Sequence, residues 1–274
     1  MRISREGQEA KMGKGIAAKA ERTALRIYSV VDPASPWRLP SLYRGFPNYA
    51  LKMSAVEWKN MLSKAKWGDA EAEFGVATNY DDGCKDRRGR ILVRVSNRKA
   101  VEWYRRSAEH GCGSAQNNLG VILGGNNGVE KSVPEALLWL KRAFRGGDTG
   151  SAPNNIAVTY RENGNLRQAV SWFRKVDASH DDSVLIQLGV HSYWGKGVRT
   201  DYQAAVRYFR RAIRGKNMSE CDRDDANFYL GIAYLEGNGV RKSVKMAQKH
   251  FERANRDNDH LAAQRLLKQL RRLV

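Results

Sequence analysis

The sequence has few of the features that mark membrane, secreted or metal-binding proteins. Its 274 residues include six prolines and three cysteines, and no apolar run approaches the roughly 18 residues of a membrane-spanning helix. The basic N-terminus is not followed by the apolar stretch of a secretory signal. Cys84, Cys112 and Cys221 are odd in number and widely spaced, which argues against paired disulfides and a metal site. We therefore expect a protein of a reducing cytoplasm.

Signatures of an enzyme are also missing. Nucleophilic catalysis needs a nucleophile beside a base and an orienting group, and metal chemistry needs clustered ligands. The five histidines are instead scattered along the chain, at positions 110, 180, 191, 250 and 260, and no phosphate-binding glycine loop is present. We expect no enzymatic activity, no catalytic residues and no cofactor.

What the sequence does contain is a repeat of two patterns, each found five times. The first has a small or apolar residue, a large apolar residue four positions later and usually glycine at the fifth, and it starts at Ala70, Ala115, Ala152, Val184 and Ala226. The second has an alanine, usually an aromatic three positions later and usually a small residue at the seventh, and it starts at Ala100, Ala136, Ala169, Ala205 and Ala247. The second-pattern alanines are separated by 36, 33, 36 and 42 residues. A period in this range predicts a solenoid.

Each pattern has the spacing of one face of a helix. Residues at i, i+3, i+4 and i+7 share a face, so the small residues admit a neighbouring helix while the aromatic fills the gap. Glycine-rich turns that end in valine, such as Gly237-Asn238-Gly239-Val240, separate the two helices of several units. Ser132, Asp201 and Ser243 each follow such a valine by three residues and are predicted N-caps.

One stretch of the repeat carries the motifs of a known family. From Ala100 to Gly147 the chain reads A-x-x-W-Y-x-x-x-A-x-x-G, then A-x-x-x-L-G, then G-V, then A-x-x-W-x-x-x-A-x-x-x-G. It resembles the Sel1-like repeat family of the tetratricopeptide-like superfamily, over about residues 68 to 258. The resemblance implies an all-α fold, a right-handed α-solenoid of about five units with terminal capping helices. It also implies a scaffold or adaptor of the bacterial cytoplasm that binds protein across a curved surface.

The third unit departs from this family pattern. Its turn, from Tyr160 to Asn165, is short and lacks the G-x-G-V sequence. It looks more like an ordinary tetratricopeptide hairpin.

Three regions are predicted along the chain. Residues 1–53 combine a basic helix with an extended segment rich in proline. Residues 54–258 form the repeat solenoid, which carries an insertion at 84–99. Residues 259–274 form a C-terminal capping helix with a basic outer face.

The positive charge is concentrated outside the repeats. The net charge is +19, and residues 1–53, 84–99 and 241–274 hold 10, 7 and 10 basic residues against 4, 1 and 3 acidic ones. The remaining residues balance, with 21 basic and 21 acidic. A neutral repeat body argues against nucleic-acid binding along the solenoid, whereas the basic ends leave it open.

The insertion at 84–99 is the most unusual local feature, and it is roughly ten residues longer than its counterparts. Two interpretations remain open. It is either a solvated, mobile loop, or a short strand or hairpin arm that forms a basic finger for an acidic protein surface or a phosphate backbone. Its predicted partner-binding residues are Lys85, Arg87, Arg88, Arg90 and Arg94.

A second candidate surface is the concave face, which the first helices should line. Side-chain amides recur there, and they either form hydrogen bonds with a partner's backbone or bridge neighbouring helices. Residues further along these helices are less constrained by the repeat and are predicted to serve recognition. The predicted concave-face residues are Asn118, Asn155, Tyr160, Arg161, Gln187, His191, Trp194, Tyr229, Tyr234 and Glu236.

Three functions follow as hypotheses. The leading one is a non-enzymatic scaffold or adaptor that binds a protein partner with an acidic surface. A narrower form is an immunity-type inhibitor of an acidic toxin or effector, suggested by the basic finger. The third is a nucleic-acid-binding repeat protein that uses the basic ends.

Overall fold

The computed structural model describes most of the repeat region. The described residues are 53–125, 129–176, 183–216, 218–257 and 259–271. The predicted basic helix and proline-rich segment lie outside these residues. About 70% of the described residues are helical, which confirms the all-α fold class.

The chain divides into two compact units, and the described residues of the first are 53–176. This part contains seven helices and two short strands. In chain order they are α1 (Ala55–Lys66), α2 (Ala70–Asp82), β1 (Cys84–Lys85), β2 (Ile91–Val93), α3 (Asn97–Glu109), α4 (Gly113–Gly124), α5 (Val133–Arg145), α6 (Ser151–Glu162) and α7 (Leu166–Phe173).

The described residues of the second unit run from 183 to 271 and contain five helices. These are α8 (Val184–Trp194), α9 (Tyr202–Arg214), α10 (Glu220–Glu236), α11 (Val244–Ala254) and α12 (Leu261–Arg271). No helix in the described part of the chain is long and apolar enough to cross a membrane.

Five helical hairpins account for the five repeats seen in the sequence. They are α2 with α3, α4 with α5, α6 with α7, α8 with α9, and α10 with α11. Within each unit every helix also packs on the next one along the chain, and the first helices of adjacent hairpins touch, α4 with α6 and α8 with α10. The hairpins of each unit therefore form a stack, which α1 precedes in one unit and α12 follows in the other.

The second-pattern alanines sit at the centre of this packing. All five are fully buried, as are Ala115, Ala152 and Ala226 of the first pattern. The residue three positions after each second-pattern alanine fills the core less completely than predicted. Trp139 and His250 are buried, but Trp103, Trp172 and Tyr208 are only partly so. The residue four positions after the alanine is buried in every unit, and its members are at most 1% exposed: Tyr104, Leu140, Phe173, Phe209 and Phe251.

Three glycines of the first pattern, Gly120, Gly189 and Gly231, receive these large side chains, whereas Gly75 faces Met61 of α1. A Cβ added at Gly189 would lie 2.4 Å from a Phe209 ring carbon, and one added at Gly231 would lie 2.4 Å from Phe251. Since carbon atoms pack at about 3.5–4.0 Å, no larger residue fits here. The glycine therefore sets how closely the two helices of a hairpin approach.

Polar side chains begin several helices. Asp201 and Ser243 accept hydrogen bonds from the backbone N–H groups of Ala204 and Met246, as predicted, at 2.8 and 3.2 Å. Ser132 also occupies an N-cap position, but its side chain makes no capping hydrogen bond. The third unit is shortened as its sequence indicates, since α7 has eight residues and the other second helices have 11 or 13.

Replacing Gly189 with alanine tests the close approach of α8 and α9. The added methyl group would overlap the Phe209 ring, so we expect Gly189→Ala to lower the free energy of unfolding by about 1–3 kcal/mol. Urea unfolding followed by circular dichroism measures this. Gly113→Ala is the control, because nothing lies within 4 Å of a Cβ at that position. Equal stability of the two variants would contradict the packing described here.

Candidate partner-binding surfaces

The basic insertion folds into a β-hairpin. Strands β1 and β2 are antiparallel, with Cys84 opposite Val93. At the turn, the Gly89 N–H donates to the Asp86 carbonyl at 2.9 Å, and the Asp86 N–H donates to the Arg90 carbonyl at 2.8 Å. Gly89 has a φ of +82°, as the last residue of a three-residue hairpin loop requires. The insertion is therefore a folded arm.

The Asp86 carboxylate organises this turn. It accepts hydrogen bonds from the backbone N–H groups of Arg88 and Arg90, both at 2.9 Å, and from Arg90 Nε at 2.7 Å. These bonds, with the Arg90 backbone bond first, hold the pKa of Asp86 below its usual range. The one acidic residue of the insertion is thus used in the turn and pairs with Arg90, so the insertion supplies no carboxylate for its other cations.

The hairpin is anchored to the first helices of the unit. Met53, Cys84 and Val93 form a buried cluster against it. The Ser96 N–H donates to the Tyr80 carbonyl at 2.7 Å and ties the end of the hairpin to α2. Partly buried side chains complete the cluster, namely Trp58, Met61, Tyr80 and Leu92. The arm therefore has a fixed position on its unit.

All five predicted binding residues of the insertion are exposed, namely Lys85, Arg87, Arg88, Arg90 and Arg94. Arg87 lies 3.6 Å from Glu57, and both side chains are more than half exposed, so this ion pair is weak. Arg90 pairs with Asp86. The structure thus brings the five cations together on one arm.

The predicted concave-face residues have a different environment, because five of them lie in the core. Asn155 and His191 are fully buried, and Tyr229, Arg161 and Gln187 are 6%, 7% and 8% exposed. The reason is that a first helix inside the stack is covered by its own second helix and by neighbouring hairpins. The side chains of these five are thus covered within the protein, and their role in partner binding stays a prediction.

The other predicted concave-face residues are half-buried and engaged within the protein. Tyr160 accepts a hydrogen bond from Lys141 at 3.1 Å. Trp194 packs edge-on against Tyr229. Glu236 accepts hydrogen bonds from the Tyr193 hydroxyl and, at 2.8 Å, from Asn238 Nδ2.

The recurring amides of the first helices join neighbouring hairpins. Asn155 Nδ2 donates to Asn117 Oδ1 at 2.9 Å, and Asn118 Nδ2 lies 3.4 Å from the Tyr104 hydroxyl. The Tyr104 hydroxyl is also within 3.5 Å of Asp81 Oδ2. Burial raises the pKa of Tyr104 to about 12, so the phenol stays protonated. Of the two roles left open for these amides, the geometry matches the bridging of neighbouring helices.

A buried histidine joins the two helices of one hairpin in the second unit. His250 Nδ1 lies 3.0 Å from Asn227 Oδ1, and the His250 ring stacks on Tyr234 with centroids 5.4 Å apart. Burial, and then the nearby cations of Arg253, Arg210 and Lys249, lower the pKa of His250 to about 4. The imidazole is therefore neutral at physiological pH.

The cysteines and other possible metal ligands are dispersed. All three cysteines are described, and none forms a disulfide. Within the described ranges, no group of three or more His, Cys, Asp or Glu side chains could hold a metal ion.

Two basic features escaped the sequence analysis. Arg106, Arg142 and Lys175 lie over the rings of Trp103, Trp139 and Trp172, three residues earlier on α3, α5 and α7. The second feature is a row of arginines on the outer face of α9. The sequence contains both features, as cations three residues after a tryptophan and as arginines three and four residues apart. They were overlooked because only the total charge of the repeat body was counted.

Comparison with known proteins identifies the repeat. The Sel1 repeat matches residues 70–112, 113–148, 183–217 and 224–259, more than half of the chain. The chain belongs to the Sel1 repeat family. A tetratricopeptide repeat matches residues 149–176, in agreement with the departure of the third unit from the Sel1 pattern. Sel1 repeat proteins are generally protein-interaction scaffolds.

Solved structures support the same fold. The protective antigen c5321, present in uropathogenic Escherichia coli strains, is 26% identical with a TM-score of 0.63 and matches 80% of this chain. The match spans 45% of the antigen, so this chain corresponds to about half of it. A Sel1 repeat protein from Oxalobacter formigenes is 20% identical with a TM-score of 0.57, over 76% of this chain and 87% of that protein.

A weaker similarity links the chain to immunity protein Pa5087 from Pseudomonas aeruginosa. The identity is 14% and the TM-score 0.41, over 82% of this chain and 85% of that protein. A similarity this low carries no functional information. No curated protein matches the chain significantly.

Removing the Asp86 carboxylate tests the construction of the hairpin in this Sel1 repeat protein. Asp86→Ala leaves two backbone N–H groups without their acceptor, so we expect the turn to open and trypsin to cleave after Arg87, Arg88 or Arg90 several-fold faster. Limited proteolysis with mass spectrometry measures this. The unfolding midpoint should change little, because the helices keep their contacts. Wild-type cleavage rates in the variant would show that Asp86 does not hold the turn.

The pH dependence of stability tests the buried His250. Because its folded pKa of about 4 lies below the ordinary 6.5, the unfolded state gains a proton first as the pH falls. The free energy of unfolding should therefore fall between pH 6.5 and 4, by about 1 kcal/mol per pH unit. His250→Phe should remove this part of the slope. Urea unfolding of both proteins at several pH values measures it, and equal slopes would contradict the assignment.

Proposed function

We propose that this protein is a non-enzymatic scaffold of the bacterial cytoplasm that binds a protein partner through its basic hairpin. The hairpin comprises residues 84–95, and the partner presents an acidic surface to it. The proposal agrees with the general role of Sel1 repeat proteins in protein interaction. The stacked repeats serve as the support that holds the arm in place.

The observation that carries the proposal is the exposure of five cations on an arm whose single carboxylate is held in the turn and pairs with only one of them, Arg90. Arginine forms bidentate hydrogen bonds with carboxylates, so Arg87 and Arg88 at the tip suit an acidic partner. Because the turn is already ordered, a partner would not have to pay the entropy of ordering it. By contrast, the predicted concave-face residues fill the core or are engaged in internal contacts.

An acidic protein surface fits this arm better than a nucleic acid. Nucleic-acid affinity rises with the number of phosphates that are neutralised, so it favours a long basic track. The hairpin is a short, isolated feature, and outside the three basic segments the chain is electrically balanced. We therefore expect one compact docking point.

Charge reversal at the hairpin tip tests this proposal. Arg87→Glu with Arg88→Glu leaves Arg90 in place, so the hydrogen bonds of Asp86 survive and the hairpin keeps its fold. A tagged full-length chain is used to recover the partner from cell extract, and the affinity of the purified pair is then measured. We expect the double variant to bind about 10- to 100-fold more weakly, because two glutamates at the tip would repel the acidic surface of the partner.

The control makes the same change of charge elsewhere on the unit. Arg167→Glu with Arg174→Glu alters two exposed arginines at α7, away from the hairpin, and should leave the affinity unchanged. Equal binding by the tip variant and wild type, or steeply salt-dependent binding of nucleic acid with no protein partner, would overturn the proposal. An acidic toxin recovered as the partner would narrow the function to the immunity-type inhibitor.

A further inference from the structure

Charge is strongly segregated within the second unit. Helix α9 carries four arginines and no acidic residue. The first turns of α10 are predominantly acidic, with Glu220, Asp222, Asp224 and Asp225 against the single cation of Arg223. The positive charge of α9 and the negative charge of α10 cancel when the charges of the repeats are summed. The near-zero sum therefore conceals a basic face.

The four arginines form a single row on the outer face of α9. Arg207, Arg210, Arg211 and Arg214 stand at i, i+3, i+4 and i+7, and all four are exposed. The opposite face of the helix is buried, through Ala205, Val206, Phe209 and Ala212. At a rise of 1.5 Å per residue, the row is about 10 Å long.

The basic face continues from α9 onto α11. Arg210 Nη2 donates to the Tyr234 hydroxyl at 3.1 Å, and the Tyr234 ring stacks on His250 of α11. Lys249 and Arg253 flank that histidine and act with Arg210 on its pKa. Contacts across α10 therefore place cations of α9 and α11 around one aromatic pair.

Among the residues that the structure describes, no carboxylate forms an ion pair with any of the four α9 arginines. Four like charges within about 10 Å repel one another, and a bound anion would reduce this repulsion. A surface row of this kind is complementary to a row of carboxylates.

We propose that the outer face of α9 is a second docking surface, which binds an acidic helical segment of a partner protein. The helical form follows from the spacing, because carboxylates at i, i+3, i+4 and i+7 of a partner helix repeat at the same rise as the arginines. Arginine and tyrosine are enriched at protein interfaces and lysine is depleted, and α9 contains four arginines, Tyr202 and Tyr208 but no lysine. This proposal depends on the proposed scaffold function in one respect only, which is that the partner is a protein.

The test uses a defined probe and the full-length chain. The probe is a fluorescent alanine-based peptide of about three helical turns, with glutamates in one row. A peptide of the same composition that contains a central proline is its non-helical counterpart, and a short duplex DNA is the alternative anion. Fluorescence anisotropy at about 50 and 150 mM salt measures the affinity of each.

Arg207→Glu with Arg211→Glu is the test variant. The new carboxylates lie within one turn of Arg210 and Arg214, so the helix keeps its stability, which circular dichroism checks. We expect the variant to bind the helical probe at least about 10-fold more weakly than wild type. Arg207→Gln with Arg211→Gln, which removes charge without reversing it, should give an intermediate loss. The control, Arg167→Glu with Arg174→Glu, should bind like wild type.

The hairpin variant separates this proposal from the proposed function. Arg87→Glu with Arg88→Glu should keep wild-type affinity for the helical probe, since the hairpin belongs to the other unit. Loss of probe binding in that variant, and not in the α9 variants, would overturn the second surface and leave the hairpin proposal standing. Equal binding of the proline-containing peptide, or tighter α9-dependent binding of duplex DNA, would also overturn it.

Discussion

The rest of the structure depends on the close contact between a glycine of a first helix and a large residue of its second helix, which recurs in three of the five hairpins. Gly189 against Phe209 and Gly231 against Phe251 leave no space for a Cβ. The buried alanines allow the next hairpin to pack at a similar distance. Short helices gain most of their stability from such contacts, so neither helix of a pair would persist alone. The repeating residues are therefore committed to packing, and our proposals place recognition on other residues.

Hydrogen bonds and ion pairs between buried side chains also fix how neighbouring helices are aligned. Glu73, which is fully buried, lies 2.7 Å from His110 Nδ1 and 3.3 Å from Arg106 Nε, and Asn155 reaches Asn117 of the preceding hairpin. A buried polar group costs free energy unless it is hydrogen-bonded, so each bridge favours one arrangement of neighbouring helices. Surfaces that do not repeat, such as the hairpin arm and the outer face of α9, remain available for partners.

The fold was predictable because its signal recurs five times, whereas the binding surfaces occur once. The alanine spacing indicated the hairpins, whereas the length of the insertion singled it out but left a mobile loop and a folded arm both open. The spacing did not show that Tyr104, and not Trp103, fills the core, because both lie near the same face of a helix. The burial of Asn155 and His191 was not predictable, since a sequence pattern cannot show how far neighbouring hairpins cover a first helix. The α9 arginines were missed because their charge was averaged with that of α10.

The central claim is that recognition lies on the features that do not repeat. Hydrogen–deuterium exchange of the full-length chain, with and without its recovered protein partner, tests this most directly. The account predicts that bound partner slows exchange in the turn from Lys85 to Arg94 or along the outer face of α9, and leaves α4, α6 and α10 unchanged. Protection confined to those first helices, with the hairpin and α9 exchanging as in the free protein, would contradict it.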